Sequence, residues 1–282
     1  MSSAGDGPAA AAAVDAAALQ RELAGSDPPL LIDVRRAPAF RGAREWVAGA
    51  LRRDPAQAAT WGGELPRAAR VVVYCARGHD VSQGAARELR QLGRDARYLA
   101  GGIEEGWKPV GGPLAAKPAD APTRWVTRER PKIDRIACPW LVARFVDAEA
   151  EFLYVPPADV ARVAAERTAI PYDVPDVTYS HDGELCTFDA LLARHHLRDP
   201  ALARLATIVR GADTGRLDLA PQCAGLLAVS LGLSRRFADD HEMLRHGLTV
   251  YDALWLWCRD PATETHGWDP AALRRQAAGS AA

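Results

Sequence analysis

Three short strand-like runs constrain the first part of this chain more than anything else in it. They are Leu30-Leu31-Ile32-Asp33-Val34, Val71-Val72-Val73-Tyr74 and the run from Ala96 to Leu99. Each reads as a buried strand. After the second, Val81, Ala85, Leu89 and Leu92 recur at helical spacing, and Gly93 supplies a C-terminal stop. A further helical pattern runs from Val14 to Leu23. Strands alternating with helices predict an α/β fold, a parallel sheet with helices on both faces.

Cys75 follows the second strand directly and precedes the helix, which the periodicity starts near Ser82. In open α/β sheets ligands bind beyond the carboxyl ends of the strands. The free N–H groups and positive dipole end of a helix start bind oxyanions and favour thiolates. Cys75 is therefore the candidate nucleophile, and Ala76, Arg77, Gly78, His79, Asp80, Val81 and Ser82 are the candidate cradle for its substrate. Arg77 and a protonated His79 would add positive charge there; plain solvent exposure is the alternative for both.

These residues resemble the rhodanese family. The resemblance covers residues 12–115 and rests on three ordered matches. They are Leu31-Ile32-Asp33-Val34-Arg35, Val73-Tyr74-Cys75 with Gly78 and Ser82, and Leu99-Ala100-Gly101-Gly102-Ile103 followed by Trp107. It implies a three-layer α/β fold, a loop wrapped round a catalytic Cys75, and a sulfur donor such as thiosulfate or a protein persulfide. Asp33 and Arg35 then read as loop-orienting residues, and Trp107 as packing. Two departures stand out. Glu45-Trp46-Val47-Ala48-Gly49-Ala50 replaces a Gly-His-Ile-Pro-Gly-Ala segment often found in the family. Six residues separate Cys75 from Ser82, one more than usual in sulfur-transferring members. Related phosphatases use a longer loop but place an Arg late in it, where this chain has Val81.

Gly111 to Thr123 is rich in Pro, Gly and Ala and reads as an interdomain linker, with the domains themselves at residues 12–115 and 123–260 and the linker between them at 116–122. The second half reads as mainly helical, an α+β domain. Glu151–Val155 and Val177–Ser180 are its candidate strands. Ala224 to Leu233 is apolar nearly all round, which predicts a central helix. Leu244, Leu248, Tyr251, Trp255 and Cys258 form one stripe on a long helix, opened by Asp239 or Asp240.

The segment from Trp125 to Leu141 resembles the opening of the chromate-resistance protein ChrB C-terminal family. The likeness continues at Glu151–Pro156, Val209–Thr214 and Ala238–His241 and covers residues 123–259. It implies a part in chromate tolerance. Some relatives are chromate-responsive regulators with a different N-terminal half. Arg128, Arg130, Lys132, Arg135 and Arg144 carry the charge a dianion such as chromate needs, or they form a solvated basic face. Cys138 precedes Pro139, which predicts a thiol at a helix start near Arg135; a core cysteine beside Trp140 is the alternative. Arg135, Cys138 and Arg144 form the candidate anion site, on a helix expected over residues 138–147. His181, Asp182, Glu184, Asp213, Asp239, Asp240 and His241 are metal ligands by type, with His181, Asp213, Asp240 and His241 the leading candidates. None shows a ligand spacing, and Asp239 and Asp240 already read as caps. No cofactor is predicted otherwise, since neither a dinucleotide nor a P-loop fingerprint occurs.

A formal net charge of −1 gives no general basic excess for nucleic acid. Five widely spaced cysteines without a C-x-x-C exclude a disulfide framework and suit a reducing, cytoplasmic setting. Met1 to Val14 reads as neither a secretory signal nor a membrane span. Three functions stay open. The first is a sulfurtransferase working through a Cys75 persulfide, with a small sulfur donor and a thiol acceptor as partners. The second is a non-catalytic oxyanion-sensing module. The third is a thiol-dependent chromate reductase using Cys138 and Cys186.

Overall fold

A computed structural model describes residues 12–25, 28–65 and 69–259. Most of the Met1–Val14 reading, and residue 260, lie outside these. The first domain opens with β1 (Ala13–Val14) and α1 (Ala16–Ala24). The Asp15 carboxylate accepts from Ala18 N at 2.8 Å, and this cap starts the helix after Val14 rather than at it. Next come β2 (Leu30–Asp33), α2 (Ala37–Gly42), β3 (Glu45–Val47), β4 (Leu51–Arg52), α3 (Ala58–Glu64), β5 (Arg70–Tyr74), α4 (Asp80–Gln91) and β6 (Asp95–Leu99).

Strands β1, β6, β5, β2 and β4, in that order, make one parallel sheet. Alternate side chains enter two different cores. Leu31, Val72, Tyr74 and Leu99 pack with Leu19 of α1 and Phe40 of α2. Ile32, Val71, Val73 and Ala96 pack with Trp61 of α3 and Leu89 of α4. A sheet covered on both faces is why β2 and β5 are nearly continuous apolar runs, and it gives the three layers expected.

The segment after Gly111 is not the free tether its composition suggests. β7 (Leu114–Ala116) pairs antiparallel with β3. Lys117 Nζ donates to Phe40 O at 2.8 Å, and Thr123 donates through N and Oγ1 to Asp147 Oδ2 at 2.6 and 2.9 Å. Both ends of the connection are thus tied to a domain.

The second domain contains β8 (Arg124–Arg128), α5 (Asp134–Leu141), β9 (Glu151–Val155), α6 (Val160–Arg167), β10 (Ile170–Pro171), α7 (Thr187–Arg194), α8 (Pro200–Asp213), α9 (Cys223–Arg236) and α10 (Asp240–Arg259). Its strands form a parallel sheet in the order β10-β8-β9. Helix α6 covers one face through Val160 against Val126. On the other face Trp125 joins a core built by α5, α7, α8 and α10 around Trp140.

Three expectations change here, and one open choice is resolved. Val177–Ser180 is not a strand; Tyr179 makes an isolated bridge to Tyr172. Helix α9 is peripheral, with Val229 and Leu231 45% and 41% exposed, because only Cys223, Leu226 and Ser230, with Leu227 and Leu233 beside them, turn inward on it. Asp239 caps α10 by accepting from Glu242 N at 2.7 Å, whereas Asp240 accepts from Arg130 N. Finally, α5 begins at Asp134, not at Cys138, and a wider helical turn continues it through Val146. Pro139 therefore lies inside a helix. It removes the bond to the carbonyl of Arg135, and the hydroxyls of Tyr154 and Tyr172 donate to that oxygen instead, at 3.1 and 3.4 Å. Among the described residues no helix is long and apolar enough to cross a membrane.

Trp140 is fully buried, packs against Phe145, Phe188, Tyr251 and Trp255, and donates through Nε1 to Asp252 at 2.7 Å. Trp140→Ala is expected to cost about 3–5 kcal/mol of stability. Urea unfolding followed by circular dichroism checks this; a loss under about 1 kcal/mol would contradict the packing described.

Candidate active site

Cys75 sits just past β5, nearly buried, on the side of the sheet that carries α4. Its Sγ lies 3.2 Å from Ser82 Oγ, which also donates to His79 O. The intervening loop is closed by the way its carbonyls are held. Cys75 O accepts from Ile103 N at 3.0 Å and Ala76 O from Glu104 N at 2.9 Å. Gly78 O accepts from Gln83 Nε2 at 3.0 Å, and His79 O from Gln83 N at 3.1 Å. Among the described residues, no backbone N–H from Ala76 to Ser82 donates to a backbone carbonyl. A loop and helix start that leave consecutive N–H groups free form an anion nest.

Glycines permit this shape. Gly78 has φ +71°, and a Cβ there would lie 2.7 Å from Leu99 O and Gly101 N. Gly102 has φ +58°, and a Cβ there would lie 2.4 Å from Cys75 O. The pair Gly101-Gly102 thus seats the loop backbone, a role that adjacent glycines after a strand can signal in a sequence. Gln83, Ile103 and Glu104 also hold the loop and carry no such signal.

The remaining cradle residues divide by exposure. Arg77 is 68% exposed and pairs with Glu105 at 3.4 Å; His79 and Asp80 are exposed, and Val81 is half-buried against the α4 core. Arg77 and His79 therefore face solvent at the rim. Helix α4 starts at Asp80, two residues before the periodicity placed it, and this puts Ser82 in its first turn.

Asp33 and Arg35 are both buried and bond each other, Nη2 to Oδ2 at 2.6 Å and Arg35 N to Asp33 Oδ1 at 2.9 Å. Burial opposes the Arg35 charge, but Asp33 together with Tyr74 and Glu104 raises the guanidinium above its ordinary range. Arg35 Nη2 also donates to Glu45 O at 3.2 Å. The pair therefore orients the chain from β2 to β3, not the Cys75 loop as expected; among the described residues its hydrogen bonds reach no group from Ala76 to Ser82. Trp107 is packing, with Nε1 donating to Pro113 O.

The anion site expected in the second domain does not assemble. Arg135 pairs with Asp173 at 3.2 Å and donates to the carbonyls of Arg128 and Glu129. Arg144 makes two 3.0 Å bonds to Asp252. Cys138 is 1% exposed in the middle of α5, and burial, then Asp134, pushes its thiol well above the usual range. Cys186 is likewise buried, and burial, then Asp134, raises its thiol. Both thiols are thus buried in an acidic setting, unlike the electropositive, partly exposed one that activates a cysteine.

The metal candidates separate. His181 and Asp213 come together, 3.2 Å apart, with Asp134 and Asp173, which sequence reasoning had not singled out. Asp240 pairs with Arg130, and the His241 ring lies edge-on to Tyr154. Glu184 is almost fully exposed beside Arg216. Asp182 exchanges backbone bonds with Leu185.

Residues 15–108 match the family model for a rhodanese-like domain, and residues 125–258 that for the ChrB C-terminal domain. The chain thus carries a match to a rhodanese-like domain followed by one to a ChrB C-terminal domain. Protein ChrB from Cupriavidus metallidurans is 33% identical over 139 residues, 49% of this chain and 41% of its own length. A full-length protein from Lactobacillus plantarum is 29% identical over 38% of this chain and 89% of its own, with a TM-score of 0.35. A rhodanese-related protein from Thermoplasma volcanium is 25% identical over 36% of this chain and 96% of its own, with a TM-score of 0.32.

Because Gly102 abuts Cys75 O, Gly102→Ala is expected to displace the rhodanese-like loop and spoil its nest. Sulfate should slow iodoacetamide labelling of Cys75 in the parent and fail to do so in the variant. Peptide mass spectrometry reads both rates; equal protection in the two proteins would contradict the role given to Gly102.

Proposed function

We propose that the rhodanese-like domain is a sulfurtransferase that carries sulfur on Cys75. The observation that supports this most is the run of free N–H groups from Ala76 to Ser82 closing on a cysteine whose Sγ is 3.2 Å from Ser82 Oγ. The Cys75 thiolate attacks the outer sulfur of thiosulfate. The sulfur–sulfur bond of the donor breaks, and sulfite leaves with the bonding pair. The new persulfide has its charge on the terminal sulfur, where the N–H nest and the Ser82 hydroxyl stabilise it. An acceptor thiolate then attacks that terminal sulfur, and the Cys75 thiolate departs. The ChrB likeness of the second half supports a setting in chromate tolerance.

A second reading has the same nest binding an oxyanion without transferring sulfur. The six-residue spacing from Cys75 to Ser82 favours it, because a longer loop admits a larger tetrahedral anion.

Thiosulfate treatment followed by mass spectrometry separates the two. The parent is expected to gain one sulfur atom on Cys75, and Cys75→Ser to gain none while its melting temperature stays within about 2 °C of the parent. A parent that binds thiosulfate without acquiring sulfur would leave the binding module standing. An adduct on Cys138 would refute the assignment of the nucleophile.

A further inference from the structure

The second domain gathers ligand-type side chains that the sulfur chemistry does not use. Asp134 opens α5, Asp173 follows β10, His181 lies in the loop before α7, and Asp213 ends α8. His181 Nε2 stands 3.2 Å from Asp213 Oδ2, 3.4 Å from Asp173 Oδ1 and 3.7 Å from Asp134 Oδ2. Ligand atoms of Asp134, Asp173 and His181 all lie within 4.8 Å of one another. Donors held about 2.1 Å from one ion stand roughly 3 Å apart when adjacent and about 4 Å apart when opposite. From this convergence we propose that Asp134, Asp173, His181 and Asp213 form a divalent-cation site.

The surroundings distinguish the group from a chance crowding of acids. Asp173 uses its two oxygens differently. Arg128 and Arg135 bond Oδ2, at 3.0 and 3.2 Å, and Thr187 Oγ1 and His181 approach Oδ1. Asp134 accepts from Thr187 N at 2.6 Å and Phe188 N at 3.3 Å, the opening N–H groups of α7. Such outer bonds fix carboxylate orientation in metal sites.

Asp134 is fully buried, and among the described residues His181 is its one cationic-type neighbour within 4 Å. Buried carboxylates call for a counter-charge. Asp173 and Asp213 bring two more carboxylates against the same imidazole, and a dication relieves their mutual repulsion.

A second observation lies on the sheet beneath the opening turn of α5. Thr127 on β8 is fully buried, and its Oγ1 has no partner. Strand alternation turns Thr127 to the same side as Trp125, which packs in the α5 core. Its cross-strand neighbour Tyr154 and the adjacent Tyr172 both reach Arg135 O in the opening turn of α5. Thr127 is thus aimed at the turn that carries Asp134. Buried hydroxyls without protein partners bond ordered water, and a water held at the opening turn of α5 would give Thr127 its partner.

Three carboxylates with one imidazole suit a borderline-hard ion such as Mn2+ or Fe2+. His181, 40% exposed, marks the way in.

The test uses the full chain, freed of metal by a chelator, with Mn2+ as the probe. The free Mn2+ signal in electron paramagnetic resonance is expected to fall until one ion is bound per chain. The melting temperature should rise by about 5 °C or more at saturation. His181→Ala and Asp213→Asn, both at partly exposed positions, should weaken binding at least tenfold even if Asp134→Asn fails to fold. Asp240→Asn and Cys75→Ser should bind as the parent does, the latter showing independence from the sulfur site. A parent with no saturable Mn2+ uptake and no thermal shift overturns the proposal. So does unchanged uptake in both His181→Ala and Asp213→Asn.

Discussion

A backbone can offer several consecutive N–H groups to a ligand only if the carbonyls between them are held elsewhere. The Cys75 loop depends on that constraint. Its carbonyls are bonded by Ile103 N, Glu104 N, Gln83 N and Nε2, and Ser82 Oγ. Ile103 and Glu104 reach it only because Gly101 and Gly102 turn the chain through positive φ directly against it. The sheet is what brings them there: β5 and β6 are neighbours in register, so their C-terminal loops lie side by side. Nucleophile, nest and glycine turn are one hydrogen-bonded unit.

The second domain meets the opposite difficulty, with carbonyls and carboxylates in excess. Pro139 leaves the Arg135 carbonyl without its helical donor, and two tyrosine hydroxyls replace it. Asp252 accepts from Trp140 and takes both bonds from Arg144, so one α10 carboxylate anchors α5 and its continuation. This is why Arg144 is structural. Its guanidinium is half of a bidentate pair, and releasing it to bind an anion would strand Asp252 beside the aromatic core.

What could be read in the sequence follows the range of the interactions. The apolar runs of β2 and β5 fixed their own strand character, because burial on both faces leaves no alternative pattern. Cys75 was legible for the same reason: its place depends on the strand just before it and the helix just after it. Asp33 and Arg35 were seen as important, but their partners were not, since the pair closes on itself and on Glu45 O. Helix α9 misled because apolar residues all round were taken for burial, while Val229 and Leu231 stay exposed. Asp134 and Asp173 were invisible as a set. They are separated by β9, α6 and β10, and no spacing rule spans such a distance.

The two sites depart from ordinary burial rules with opposite signs. Beside Cys75 the fold leaves N–H donors free, a local positive potential that suits an anion. Around His181 it gathers carboxylates, a local negative potential that suits a cation. Neither arrangement helps folding. Free donors gain nothing in the native state, and the raised carboxyls of Asp134 and Asp213 mean that stability present below the unfolded carboxyl range is lost as pH rises through their folded values. A sequence chosen for stability alone would close the nest with an acceptor and replace the inner carboxylates. Local conflicts of this kind, set in cores that otherwise pack well, mark the places where a chain gives up stability for binding.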